Sequence, residues 1–280
     1  MKQIKIWVMN PDAVYEARNM EAFAARLTQR GNILQTLDDV KDLYKKPASP
    51  SLIRSFGDMP HPTLQKFGLI NIVVFGASRR FLAQVTRHQN EVKFMSASLQ
   101  YSDYANYDQF CVPYNVYEMD ATHPDVPEWA TDLEISDTEG YYERNYLHTC
   151  KEAMRAYNKA REQGLDNDAC GYMAPHGLRN VLLISATVYQ WKHMIRQRIC
   201  RRNTAETRYV FLSIWKQLYD ICPEMFPAEQ CGAFCQQGAC KEGKMSCGMP
   251  MTEKYPEELL SKDFSLIINK EDDADANNNR

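Results

Sequence analysis

Residues 67–89 read FGLINIVVFGASRRFLAQVTRHQ, an apolar run followed by a polar one. The first part, residues 67–75, is nearly unbroken and rich in Ile and Val, which predicts a buried strand. Ser78 comes next, and a serine there can accept a hydrogen bond from the first turn of a helix. The predicted helix places Arg87 and His88 at or near its end. The stretch therefore predicts a strand, a capped helix and a polar site in immediate succession.

Hydrophobic periodicity extends the prediction toward the N terminus. Apolar and other side chains alternate over residues 1–10, which predicts a strand. Apolar residues at helical spacing predict helices over residues 11–31 and 33–44.

The C-terminal side begins with residues 113–127, which are punctuated by proline and predicted to be irregular. Further on, the predicted elements are helices over residues 139–163, 187–199 and 203–221, and a short strand over residues 182–186. Residues 227–250 are rich in Gly, Cys and Gln and predict a loop. Residues 270–280 are polar and acidic and predict a disordered tail. No internal repeat is evident.

The composition is that of a globular protein. Its 280 residues suffice for one large domain, and a formal net charge of −3 gives no reason to expect a nucleic-acid or membrane partner. No apolar run approaches the roughly 18 residues of a membrane span, and the N-terminal pattern is that of a strand rather than a signal peptide. Nine cysteines, an odd number without an export signal, argue against a disulfide framework. We therefore expect a cytoplasmic protein.

Two segments concentrate polar groups that an apolar scaffold does not need. The first is residues 79–89 with the following residues 96–102. The second, residues 192–208, holds five arginines and one lysine in a chain that is acidic overall, which favours a bound anion. A solvated helix face is the alternative interpretation of such a basic run.

The two segments resemble the motifs of flavin-dependent thymidylate synthases. The matching residues occur in the family's order, as Arg87-His88-Gln89, Ser98-Leu99-Gln100-Tyr101-Ser102, Trp191-Lys192-His193-Met194, Arg198 and Glu206-Thr207-Arg208. Residues 240–248 also resemble a tail segment of some members. The likeness covers residues 10–250.

This resemblance implies an α+β fold with a mixed sheet core and flanking helices, in one domain over residues 1–250 that includes the cysteine-rich loop 227–250. Residues 251–280 would be a C-terminal extension. It also implies a homotetramer with FAD between subunits, methylenetetrahydrofolate as carbon donor, NADPH as reductant, and conversion of dUMP to dTMP at C5. The Pro-Cys-His tripeptide of conventional thymidylate synthases and the Gly-x-Gly-x-x-Gly fingerprint are both absent from the sequence. Flavin-dependent members need neither.

The resemblance also assigns roles to individual residues. The expected FAD-binding residues are His61, Thr63, Arg87, His88, Gln89 and His193. The expected nucleotide-binding residues are Gln84, Ser96, Ser98, Gln100 and Arg198. Arg198 is also the expected catalytic residue, because a guanidinium at the uracil edge would stabilise negative charge developing at C5. For His88 or His193 alone, a buried structural histidine is the alternative, and for Arg198 it is an ion pair with Glu206.

Some positions depart from the family pattern. Gln89 stands where a second arginine is usual, and Gln65-Lys66 replaces a Glu-His pair. Gln100 and Gly171 stand where relatives hold the nucleotide phosphate with arginine. The candidates for replacing those arginines are Lys93, Arg179, Arg201 and Arg202. The departures keep open another pyrimidine nucleotide as substrate or a hydroxymethyl product. A flavin- or nucleotide-binding protein without catalysis and a cysteine-dependent methylase are the further alternatives.

Four cysteines crowd into the loop, namely Cys231, Cys235, Cys240 and Cys247. Four thiolates can hold zinc, and the ion would replace a missing core. The spacing lacks Cys-x-x-Cys pairs, however, and reduced cysteines packed as small hydrophobes are the favoured interpretation.

Overall fold

A computed structural model of the chain describes residues 1–60, 62–123, 140–238 and 240–268. Four strands form one sheet in the order β1-β2-β4-β3. They are β1 (Lys5–Val8), β2 (Leu69–Ser78), β3 (Val92–Ser96) and β4 (Arg179–Thr187). Every neighbouring pair among them is antiparallel. The α+β class is confirmed. The expectation of a mixed sheet is wrong for these strands, because β2 and β3 do not pair with each other: β4 lies between them and runs antiparallel to both.

Helices pack on one face of the sheet and provide most of the regular structure in the described part of the chain. They are α1 (Pro11–Arg30), α2 (Leu37–Lys45), α3 (Pro50–Phe56), α4 (Arg79–Val85), α5 (Tyr114–Thr122), α6 (Tyr141–Glu162), α7 (Asn167–Gly171), α8 (Val188–Arg198), α9 (Ala205–Ile221), α10 (Ala228–Cys231), α11 (Pro256–Asp263) and α12 (Ser265–Ile268).

The two central strands each lead directly into a capped helix. The hydroxyl of Ser78 accepts from the amide of Phe81, 3.1 Å away, and so caps α4 after β2. The hydroxyl of Thr187 accepts from the amide of Gln190, 3.3 Å away, and caps α8 after β4. These local signals confirm the helices predicted after both strands.

Strand β2 continues beyond the predicted end at residue 75. A bulge lies between Phe75 and Ala77, and Gly76 there has a φ of +82°. A Cβ on Gly76 would lie 2.8 Å from the carbonyl oxygen of Gln3, so only glycine fits this position without a shift. The bulge lets the strand extend to Ser78, which then starts α4.

One face of the sheet packs against the core. Alternate residues of β2 and β4 are buried there together with the aromatic residues of α8 and α9. The opposite face carries a row of paired residues that crosses all four strands, Trp7, Val73, Leu183 and Met95. Trp7 is 57% exposed and Met95 is 72% exposed. Strand β2 is therefore buried on one face only, because helices cover one side of the sheet in this chain.

Several predicted boundaries need correction. Residues 113–127 are not irregular throughout, because Pro113 precedes the first turn of α5 instead of interrupting it. Residues 124–127 lie outside the described part. The second helix begins at Leu37 rather than at residue 33, because Thr36 and Asp39 form a capping box. Strand β3 was not predicted.

The C-terminal segment returns to the core. Helix α11 packs against α9, and Leu259, Phe264 and Ile267 are buried. The predicted disordered tail, residues 270–280, lies outside the described residues. No helix in the described part of the chain is long and apolar enough to span a membrane.

Candidate active site

The C-terminal ends of α4 and α8 meet at Arg198. Its Nε donates to Nε2 of His88 at 2.8 Å, and its Nη2 donates to the carbonyl oxygen of Gln84 at 2.9 Å. A longer contact of 3.5 Å joins its Nη1 to Oδ1 of Asn203. The structure thus brings three of the predicted site residues together and fixes the plane of the Arg198 guanidinium.

His88 is neutral in this arrangement. Burial lowers its pKa to about 4, and the positive charge of Arg198 and the nearby His193 act in the same direction. Because Nε2 accepts from Arg198, the proton of the neutral ring lies on Nδ1. The ring of His193 stands edge-on to that of His88, with 6.1 Å between centroids, and burial also lowers the pKa of His193. Two neutral imidazoles therefore stand beside a cation.

Gln84 is held from the opposite side by the start of α9. Its Oε1 accepts from the hydroxyls of Thr204 at 3.1 Å and Thr207 at 2.8 Å. Thr204 is also the N-cap of α9. These bonds orient the amide of Gln84 and join α4 to α9.

Glu206 does not pair with Arg198. Its carboxylate accepts from both the amide and the hydroxyl of Ser78, each at 2.6 Å, and from the thiol of Cys111 at 3.4 Å. The alternative interpretation of Arg198 as one half of an ion pair with Glu206 is therefore wrong. Glu206 instead ties α9 to the junction of β2 and α4, a role that the sequence did not indicate.

The remaining FAD-binding candidates lie around the same helix ends. Arg87 and Gln89 are exposed just after α4, and the Arg87 charge helps to lower the pKa of Arg198, after the larger effect of burial. Thr63 lies in a short 3-10 helix, Pro62–Lys66, that packs against α8. His61 lies outside the described residues.

The other nucleotide-binding candidates follow β3. Ser96 ends β3 and lines a cavity of about 580 Å³ that Arg198 does not line. The hydroxyl of Ser98 accepts from the amides of Gln100 and Tyr101, so it closes a turn. Gln100 and Tyr101 are exposed. Within one chain, the structure therefore divides the predicted nucleotide site into two parts.

The cations of residues 192–208 have different surroundings and do not form one site. Lys192 points into the interior, where its Nζ donates to Oε1 of Gln65 at 2.7 Å and to Oε1 of Gln230 at 2.8 Å. Arg201 and Arg208 both pair with Asp263. Three of these cations hold the fold together, so the cluster is neither one anion site nor a solvated face.

The cysteine-rich loop packs beside the end of α8. Cys231 is fully buried in the core. The other three loop cysteines and Cys200 line a cavity of about 510 Å³ that Arg198 also lines. Among the residues described by the structure, no three His, Cys, Asp or Glu side chains are placed to hold a metal ion. The geometry gives no support to the zinc interpretation.

An α+β framework that brings an arginine and two neutral histidines together at converging helix ends is suited to an enzyme acting on an anionic aromatic ligand. The family model described as thymidylate synthase complementing protein matches residues 12–224. The chain therefore belongs to that family, the flavin-dependent thymidylate synthases, and is an enzyme of that class.

Solved structures share the fold. Thymidylate synthase X (ThyX) from Helicobacter pylori, determined with FAD and dUMP, is 14% identical with a TM-score of 0.55, and the match covers 82% of this chain and 99% of that one. The UMP/dUMP methylase PolB from Streptomyces cacaoi, bound with 5-Br dUMP, is 15% identical with a TM-score of 0.59, over 81% and 94% of the respective chains. A search of curated proteins finds no match.

Proposed function

We propose that this enzyme uses FAD to transfer a one-carbon unit from methylenetetrahydrofolate to C5 of dUMP, with reduction to dTMP and NADPH as reductant. The observation that carries the proposal is the contact between Arg198 and His88, which places a fixed guanidinium beside a neutral imidazole whose ring stands edge-on to that of His193. Family membership and the FAD and dUMP bound by the Helicobacter pylori relative support the same reaction.

The residues around Arg87 fit FAD. Arg87 is exposed, and no carboxylate pairs with it in the described part of the chain, so its charge is available to a phosphate of the cofactor. Neutral His88 and His193, with Thr63 on the adjoining 3-10 helix, would contact the flavin. Gln89, one residue beyond, can donate a hydrogen bond to a phosphate. When bound, the flavin supplies the hydride that this reaction requires.

Arg198 would act on the uracil ring. The contacts to His88 and to the carbonyl of Gln84 fix the guanidinium, so a bound substrate meets a charge that needs no reorganisation. A cation at the edge of the pyrimidine stabilises the negative charge that develops when C5 becomes nucleophilic. The amide nitrogen of Gln84 is left to donate to the substrate, because its oxygen is engaged by α9.

We propose that the enzyme is a homotetramer in which two subunits complete each site. The outer face of the sheet exposes a row of large apolar residues that includes Trp7 and Met95, and burial of such a face favours association. The division of the nucleotide site within one chain supports the same assembly, because residues 96–100 of a second subunit could meet Arg198 of the first. The nine free cysteines agree with a reducing compartment, so we place the enzyme in the cytoplasm.

Mass spectrometry of the products tests the reaction. The protein would be incubated with methylenetetrahydrofolate, FAD and NADPH and with dUMP, dCMP or UMP in parallel. We expect dTMP from dUMP and no product without flavin. The UMP arm is included because the structural relative PolB is a UMP/dUMP methylase. A hydroxymethyl product or a preference for another nucleotide would replace the proposed reaction, and bound flavin without turnover would indicate a binding protein.

A further inference from the structure

Arg79 is the first residue of α4 and lines the cavity of about 580 Å³ described above. Its side chain is half-buried, and its Nη1 makes a long hydrogen bond of 3.4 Å to the carbonyl oxygen of Ala97. Within the described part of the chain, no carboxylate pairs with it. Arg79 was not among the site residues expected from the sequence.

The walls of this cavity are suited to an anion. Besides Arg79, Ser96 and His176 line it. Thr86 lines it too, but its hydroxyl donates to the carbonyl oxygen of Leu82 at 3.0 Å. No aspartate or glutamate lines it among the described residues. Hydroxyl and guanidinium donors without a competing carboxylate are the groups that bind phosphate.

Gly171 lies on the same wall, next to Leu99. A Cβ at this position would lie 3.2 Å from Cβ of Leu99, so a longer side chain there would displace Leu99. Position 171 thus offers no cation to this cavity, whereas Arg79 lines it.

No carboxylate balances the charge of Arg79 in the described part of the chain. Burial lowers the pKa of its guanidinium and nearby Tyr104 opposes that effect, but an arginine retains its proton. A partly desolvated cation without a carboxylate partner is unfavourable until an anion binds.

We propose that Arg79 binds the phosphate of the pyrimidine nucleotide. The assignment rests on the proposed function. It supplies a phosphate contact in a chain that has Gln100 and Gly171 at the positions where relatives hold the phosphate with arginine. Other cations considered for this role lie elsewhere. Arg179 donates to Phe110 and Gln109, Arg201 pairs with Asp263, and Lys93 projects from the edge strand next to Met95.

The test compares a nucleotide with its nucleoside. Dissociation constants of dUMP and deoxyuridine would be measured by equilibrium titration of the FAD-loaded wild type, Arg79→Gln and Arg79→Lys. Arg155→Gln is the matched control, because Arg155 is an exposed arginine on α6 that pairs with Glu152. We expect Arg79→Gln to weaken dUMP at least tenfold and to leave deoxyuridine, FAD and methylenetetrahydrofolate unchanged. Arg79→Lys should retain part of the dUMP affinity, and Arg155→Gln should retain all of it.

Each other result has a definite meaning. Equal weakening of dUMP and deoxyuridine would indicate a structural role and overturn the assignment, as would unchanged dUMP binding. Weakened FAD with unchanged dUMP would show that the anion is the cofactor's diphosphate, which also overturns it. In these cases wild-type turnover would leave the proposed function intact. A wild type that binds none of dUMP, dCMP and UMP would overturn both proposals.

Discussion

The guanidinium of Arg198 donates a hydrogen bond to Nε2 of His88 across 2.8 Å, and this contact joins the C-terminal ends of α4 and α8. Arg198 ends α8 and His88 follows α4, so the contact links residues 110 positions apart in the sequence. Burial and then the charge of Arg198 keep the imidazole neutral, and the imidazole in turn orients the arginine. The chemistry of either residue therefore depends on the other.

Replacement of Arg198 should affect catalysis more than folding. Arg198→Gln removes the charge proposed to stabilise the developing carbanion, and loss of one such group typically costs on the order of a hundredfold in rate. The pKa of His88 should also rise above about 4 but stay below its ordinary value, because the neighbouring cation is gone while burial, the larger cause, remains. Turnover and an NMR titration of His88 measure the two effects. Arg198→Lys is the control and should keep the histidine pKa low. An unfolded variant with normal activity per folded molecule would contradict the catalytic role.

The neutral state of His88 makes stability depend on pH. Its folded pKa of about 4 lies below the ordinary value of 6.5, so the unfolded chain binds the proton more readily. The contribution of His88 to the free energy of unfolding is complete above about pH 6.5 and decreases as the pH falls toward 4. Denaturant unfolding across this pH range should show a smaller loss of the free energy of unfolding for His88→Gln than for the wild type. Parallel curves for the two proteins would mean that the histidine is not desolvated.

Glu21 should be a destabilising residue at alkaline pH. It is fully buried, its carboxyl oxygens have no hydrogen-bond partner among the described residues, and burial raises its pKa to about 8 against the opposing charge of Lys192. The stability gained by holding this proton is complete below pH 4.5 and is lost as the pH rises through about 8. Replacing a buried ionic group with an apolar one of similar volume is often neutral or stabilising by about 1–4 kcal/mol.

We therefore expect Glu21→Met to raise the free energy of unfolding more at pH 9 than at pH 5, as measured by urea denaturation. Lys192→Met is the contrasting variant. It should destabilise the protein, because the side-chain oxygens of Gln65 and Gln230 would lose their donor. If Glu21→Met is instead strongly destabilising at both pH values, the carboxylate is required to balance Lys192.

Arg87 should contribute to FAD affinity without contributing to stability. It is exposed, and no carboxylate in the described residues competes for its charge. Arg87→Ala should weaken FAD binding by more than tenfold, a change of about 1.4 kcal/mol or more. Fluorescence titration with FAD measures this effect, and exposed Arg155→Ala is the control. Purified wild-type protein that is colourless and takes up no FAD would contradict the assignment.

The parts of the site that depend on short-range sequence signals were predicted best. Ser78 and Thr187 specify helix starts through side chains that act within one turn, and both helices were found. Arg198 and His88 were assigned by resemblance to known motifs, and the structure brings them into contact.

Contacts over long sequence separations could not be predicted from these local patterns. Nothing near Glu206 indicates that its carboxylate caps a strand–helix junction 128 residues away. Lys192 lies in a basic run, but its burial depends on where Gln65 and Gln230 are placed in the fold. The proposed phosphate contact of Arg79 depends on a cavity that it lines together with Ser96 and Gly171, which lie on other elements.

The cysteines of the loop should behave as separate thiols rather than as a metal site. Cys231 is fully buried, and burial raises its pKa to about 12, whereas Cys240 is exposed. Protein purified without chelators should contain no near-stoichiometric zinc by metal analysis, and a thiol reagent at neutral pH should modify Cys240 well before Cys231. Cys231→Ser should cost about 1–3 kcal/mol, because a hydroxyl replaces an apolar buried thiol, whereas Cys240→Ser should change stability by less than about 0.5 kcal/mol. One equivalent of zinc that disappears when Cys235 and Cys240 are both changed to serine would contradict this prediction and show that the loop is ordered by metal.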